Sequence, residues 1–199
     1  LAGTLCNGVT AKDVFLHIAS TFGDHATQNV EFGGPALKGL SISARKTLAT
    51  MGAELSCEFA TFEADTALTD FLRTCGKTNV MPVHPDKDAD YFDVRTIDLS
   101  RLEPLVALPD SVLNNSRPIS EVAGTRIDQA FIGSCANGTL DDLAIAARVL
   151  SGRKVSSRTR LIVTPASQQV YLKALREGII ATLAEAGAVI TNPTCGACG

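Results

Sequence analysis

The sequence runs to 199 residues with 45% apolar and 20% charged side chains, and 18 basic against 21 acidic groups give a net charge of −3. That balance excludes a disordered, collagen-like or disulfide-scaffold chain, and a domain of this size buries roughly 70% of its unfolded surface without staples. The charge supplies no bulk attraction for nucleic acid or an anionic membrane, so neither is expected as a partner.

In chain order, residues 10–22 place Val14, Phe15, Ile18, Ala19 and Phe22 on one helical face behind a Thr10 cap. Residues 28–32 read as a short strand stopped by Gly33-Gly34-Pro35. A helix over 43–55 turns Ala44, Leu48, Met51 and Leu55 inward. Asp65 caps another over 66–75, which buries Leu68, Phe71 and Leu72 and stops at Gly76. Residues 77–90 are polar and broken by proline, and 91–99 alternate as a strand. Pro104, Pro109 and Pro118, with Asn114-Asn115-Ser116, predict a linker over 103–117.

Beyond it the pattern sharpens into strand 127–132, helix 141–150, strand 160–163, helices 165–177 and 179–185 divided at Gly178, and strand 188–191. Strands alternating with helices at this spacing predict crossover units. The expected fold is therefore α/β, with mostly parallel sheets carrying helices on both faces in three α/β/α layers. The expected division is one domain over 1–118 and the first part of a second over 119–199. The longest mostly apolar stretch, residues 178–190, contains Glu185 and is shorter than the ~20 residues a membrane span requires. No basic-then-apolar leader is visible, which predicts a cytoplasmic protein. The chain opens on Leu1 without Met and stops one residue after Cys198, so both ends read as cuts in a longer protein.

Six cysteines stand at 6, 57, 75, 135, 195 and 198. Cys6, Cys57 and Cys75 lie singly in apolar surroundings and read as small core residues. The other three follow predicted strands: Cys135 in Gly133-Ser134-Cys135-Ala136-Asn137-Gly138, and Cys195 and Cys198 in Asn192-Pro193-Thr194-Cys195-Gly196-Ala197-Cys198. Ligands gather at the carboxyl ends of parallel strands, and two adjacent strands would bring these thiols to one sheet edge. Glycines beside them let backbone amides approach a cluster closely. A structural zinc site normally has four ligands, whereas three thiolates suit an iron–sulfur cluster with one iron left open. A zinc or redox module built on Cys195 and Cys198 stands as the alternative. His17, His25 and His84 lack metal-ligand spacing, Asp141-Asp142 suits a helix start, and Ser167 suits a helix cap.

The first cysteine loop, followed by Asp141-Asp142-Leu143 and Ala146-Ala147, resembles the first cluster-cysteine motif of the aconitase family. Pro165-Ala166-Ser167 and Cys195-Gly196-Ala197-Cys198 fall at that family's next landmarks. Gly8-Val9-Thr10-Ala11-Lys12-Asp13-Val14, then Val30-Glu31-Phe32-Gly33-Gly34-Pro35, resembles its second α/β/α subdomain. The resemblance covers nearly the whole chain, in order, and leans toward the isopropylmalate dehydratase and homoaconitase branch. Ala136 stands where the family commonly has Thr, and Ala197 where Pro is usual. Neither change removes a ligand, and both bear on the substrate instead.

The resemblance implies that Cys135, Cys195 and Cys198 hold a 4Fe–4S cluster with Asn137 hydrogen-bonding near it. It implies that Glu31 contacts the substrate hydroxyl or the iron-bound water. The implied activity is that of a hydro-lyase, which dehydrates and rehydrates a small hydroxy di- or tricarboxylate. Isopropylmalate is the first candidate, with homocitrate or citrate as alternatives. In this branch the catalytic serine belongs to a swivelling domain on a separate small subunit, which is the implied partner. The family's His/Asp/Ser group and its carboxylate-binding arginines match nothing in these residues, so the 199-residue chain alone is expected to have no turnover.

Overall fold

In the computed structural model, which describes residues 1–198 with the side chain of Cys198 excepted, the chain divides into units of residues 1–123 and 124–199. In the first unit, α1 (Ala11–Phe22) starts where the Asp13 carboxylate accepts the Thr10 backbone N–H at 2.7 Å and its hydroxyl at 2.9 Å. An acid in the first turn also complements the helix dipole. Val14, Phe15, Ile18 and Ala19 are buried as the periodicity predicts.

β1 (Asn29–Phe32) ends at the double-glycine turn, and α2 (Ile42–Met51) begins at Ser41, whose hydroxyl accepts the Ala44 N–H. The helix predicted over 43–55 tightens after Met51 into a 3-10 turn, Gly52–Leu55. A Cβ on Gly52 would stand 2.6 Å from the Ala60 Cβ, so glycine is what lets this turn lie against β2 (Phe59–Phe62). The sequence does not announce β2, because four residues with alternate exposure carry too little pattern. It pairs in parallel with β1, and the Phe32 and Phe62 rings stack at 4.8 Å.

α3 (Thr66–Thr74) is capped by the Asp65 carboxylate as expected, yet Leu68, Phe71 and Leu72 are half-covered and none of its residues is buried. Its start is what is anchored. Arg45 on α2 reaches both Asp65 oxygens at 2.8 and 2.6 Å, and the same guanidinium donates to the Leu37 carbonyl.

Two further expectations are corrected here. Residues 91–97 form no strand, and Ala2 meets Asp98 in an isolated bridge; alternation without a ladder to join does not make a strand. The supposed linker instead holds an antiparallel pair, β3 (Leu105–Ala107) with β4 (Ser116–Pro118). Polar contacts fix it: Asp13 accepts the Leu105 N–H at 2.8 Å, and the Ser116 hydroxyl donates to the Leu16 carbonyl. Asn115 Nδ2 closes the turn on the carbonyls of Leu108, Pro109 and Ser111. The lone cysteines are not core either, since Cys6 and Cys75 are exposed and Cys57 is half-covered.

The second unit runs β5 (Gln129–Gly133), α4 (Leu140–Leu150), β6 (Arg160–Thr164), α5 (Gln168–Arg176), α6 (Ile179–Glu185) and β7 (Val189–Ile190). Its sheet is parallel throughout in the order β5-β6-β7, so the α/β expectation holds. Leu161 and Val163 pack with Leu143, Ala147, Ala174, Ile180 and Leu183 from all three helices. Strands laid down in sequence order by right-handed crossovers place their helices on one face. The helix residues of this core meet the face of β6 that carries Leu161 and Val163. No helix among the described residues is long and apolar enough to cross a membrane.

Candidate functional site

Parallel pairing puts the carboxyl ends of β5, β6 and β7 along one edge, so the loops after β5 and β7 flank the end of β6. The two cysteine-bearing strands are therefore not adjacent, contrary to the sequence expectation. Both loops close on Thr164, the last residue of β6, which is fully buried. A Cβ on Gly138 would stand 2.4 Å from the Thr164 carbonyl oxygen and 2.6 Å from that of Ser134. A Cβ on Gly196, at φ +58°, would stand 2.8 Å from Thr164 Oγ1 and 2.9 Å from the Phe131 ring. Backbone bonds tie the first loop down, from Gly138 N–H to the Ser134 carbonyl and from Ala166 N–H to the Gly138 carbonyl.

Cys135 and Cys195 are exposed on these loops. The side chain of Cys198 lies outside the described residues, and among those described no three His, Cys, Asp or Glu side chains gather as a metal site. Asn137 turns inward. Its Oδ1 is buried with no hydrogen-bond partner among the described residues, and its amide reaches Asp142 Oδ1 at 3.5 Å. Asp142 in turn accepts the Thr139 N–H and hydroxyl, which locks the start of α4. The Ser167 hydroxyl accepts the Val170 N–H and caps α5. The sequence reading misses Thr164, whose hydroxyl shares a 2.6 Å hydrogen bond with that of Thr191. Its signal is a polar β-branched residue ending an apolar strand just before Pro165.

In the first unit, Glu31 is exposed on β1, and the Tyr91 hydroxyl donates to its Oε2 at 2.9 Å. The bond to Glu31 pushes the phenol above its ordinary pKa, with burial and the charges of Glu31 and Glu63 acting the same way. Tyr91 escapes the sequence reading because it sits where alternation predicts a strand. Burial holds the His17 imidazole below its ordinary value, in keeping with a packing role.

Glycine-lined cysteine loops at the carboxyl edge of a parallel sheet define an α/β protein with a candidate metal-cluster edge. The chain belongs to the aconitase family: the profile described as "Aconitase family (aconitate hydratase)" matches residues 1–122 and 112–199. It is 54% identical over 198 residues to a 3-isopropylmalate dehydratase large subunit of Mycolicibacterium smegmatis, covering 100% of this chain and 47% of that one. It is 43% identical to a probable methanogen homoaconitase large subunit of Methanothermobacter thermautotrophicus, covering 96% of this chain and 45% of the relative. Another 3-isopropylmalate dehydratase large subunit, from Archaeoglobus fulgidus, is 43% identical with 100% of this chain and 48% of the relative covered. The chain thus spans just under half the length of these curated relatives.

Proposed function

We propose that the chain is part of a hydro-lyase that dehydrates and rehydrates 3-isopropylmalate, with homoaconitase chemistry on homocitrate as the nearest alternative. The observation that carries this reading is identity to a dehydratase large subunit along the whole chain. The two units then correspond to the family's second α/β/α subdomain and the first part of the next. Relatives named as large subunits support a small subunit as partner, carrying the swivelling domain. A cytoplasmic setting agrees with free thiols at Cys6, Cys57, Cys75, Cys135 and Cys195.

Cys135, Cys195 and Cys198 are the residues we assign to a 4Fe–4S cluster. The fit rests on the exposed thiols of Cys135 and Cys195, the close seating of both loops on the end of β6 that Gly138 and Gly196 permit, and the unpartnered Asn137 Oδ1. When bound, a cluster with three thiolate ligands supplies an open Lewis-acidic iron for a substrate hydroxyl. The protein's own residues do the rest. Asn137 presents a fixed polar atom beside the first cysteine loop, and the tied backbone of that loop keeps Cys135 in place. Glu31 is the carboxylate we assign to the substrate hydroxyl, where it would orient the departing group by accepting a hydrogen bond from it.

The test is turnover by the complete protein assembled anaerobically with its small subunit, assayed on 3-isopropylmalate, homocitrate and citrate. The expected result is the highest kcat/KM for 3-isopropylmalate and its loss in Cys135→Ser. Preference for homocitrate would replace the reading with its alternative. Undiminished turnover in Cys135→Ser would overturn the cluster assignment.

A further inference from the structure

One residue meets both cysteine loops. Thr164 ends β6 after Leu161, Ile162 and Val163 and is fully buried. Its main chain meets the first loop. Gly133 pairs with it in the β5–β6 register, a Cβ on Gly138 would strike its carbonyl oxygen, and the Ala166 N–H donates to the Gly138 carbonyl at 2.8 Å. Its side chain meets the second. The Thr164 hydroxyl lies 2.6 Å from that of Thr191, which donates at 3.3 Å to the carbonyl of Asn192, in the loop of Cys195. A hydroxyl has a single proton, so both bonds are satisfied with Thr164 donating to Thr191. Gly196, just past Cys195, comes so close that its Cβ would stand 2.8 Å from the same Thr164 oxygen. Within the second loop the Thr194 hydroxyl accepts the Gly196 N–H at 2.8 Å and braces the turn that carries Cys195.

We propose that Thr164 is a positioning residue for the cluster ligands: its main chain seats the Cys135 loop, and its hydroxyl, through Thr191, holds the Cys195 loop in a fixed place beside it. The inference deepens the cluster assignment above and rests on it. A buried hydroxyl at the end of an apolar strand costs stability unless it is bonded, whereas valine fills the same space with no polar atom to satisfy. The hydroxyl therefore adds a tie that packing alone does not supply. Cys135 and Cys195 are exposed, so the spacing of their loops depends on what lies beneath them. Holding both loops in one arrangement before metal arrives lowers the ordering cost of binding and slows the loop opening that releases a thiolate.

The test uses the complete large subunit assembled with its small subunit and loaded anaerobically with iron and sulfide. Decay of the broad visible absorption under an iron chelator is followed in wild type, Thr164→Val, Thr164→Ser and Thr191→Val. Both Val variants are expected to lose the cluster roughly tenfold faster than wild type. Thr164→Ser keeps the hydroxyl and is expected to hold the cluster at close to the wild-type rate. The double Val variant should decay no faster than either single one, because both break the same bond. Thr191 is only half-covered, so Thr191→Val carries the test should Thr164→Val fail to fold. Wild-type decay in Thr191→Val would overturn the role. Equally fast decay in Thr164→Ser and Thr164→Val would also overturn it, by assigning the effect to packing. Amide exchange on the metal-free protein reads the tie by itself: residues 194–197 are expected to exchange faster in Thr191→Val while 161–163 do not change. Unchanged exchange over 194–197 would overturn the tie. A wild-type protein that takes up no iron–sulfur cluster would overturn the cluster assignment and the role built on it, while exchange would still report the tie.

Discussion

Asp65 holds two structures at once, the first turn of α3 through the Leu68 N–H and the buried guanidinium of Arg45 through both carboxylate oxygens. Arg45 draws its carboxyl below the ordinary range, chiefly by hydrogen bonding. Asp65→Ala therefore removes a cap and strands a buried cation, at a cost of roughly 2–4 kcal/mol read from urea midpoints. The pH dependence has a definite sign. Because the folded pKa is depressed, the stabilisation is complete above the unfolded value of about 3.9 and is lost as pH falls through the lower folded value. The stability gap between wild type and Asp65→Asn is expected to shrink as pH drops below about 4. A gap that stays constant from pH 7 to pH 3 would contradict the assignment.

Elements differ in how far their residues announce them. α1, α3 and α5 carry Thr10, Asp65 and Ser167 at their starts, and caps of this kind are legible because one side chain satisfies a local orphan donor or fixes the first turn, whereas the Thr139 cap of α4 is masked by Asp141-Asp142 behind it. β2, β3 and β4 are not legible, because three or four residues hold too little pattern and their pairing is decided by distant groups. Asp13 is the clearest case, with one oxygen on Thr10 and the other on Leu105, 92 residues away. Asp13→Ala is expected to cost about 3 kcal/mol and to loosen the β3–β4 pair, visible as faster amide exchange over residues 105–107 and 116–118. The cysteine loops were readable from their glycines and their place after strands, whereas the intervening β6 and Thr164 emerge from sheet order alone. Gly138→Ala drives a Cβ against three backbone atoms, of Thr164, Ser134 and Ala166. It is expected to lower stability by roughly 1–3 kcal/mol and to reduce metal loading. Unchanged melting and loading would remove the close approach from the account.

For the whole molecule, the first unit carries Glu31 and Tyr91 and the second carries the cysteine loops. Residues 77–94 form the stretch of the first unit with least regular structure, and Lys77 and Lys87 lie exposed along it. Limited trypsin digestion is expected to cut there first and to leave residues 124–199 intact at early times. Early cleavage within β5, α4 or β6 would contradict the division into units. Metal content bears most directly on the central claim, that Cys135, Cys195 and Cys198 of this chain hold an iron–sulfur cluster. The decisive measurement is anaerobic reconstitution of the chain with iron, sulfide and competing zinc, followed by elemental analysis and visible absorption. The account predicts about four iron and four sulfide per chain with broad visible absorption, lost in Cys135→Ser. Stoichiometric zinc in a colourless protein, unaffected by Cys135→Ser, would contradict it.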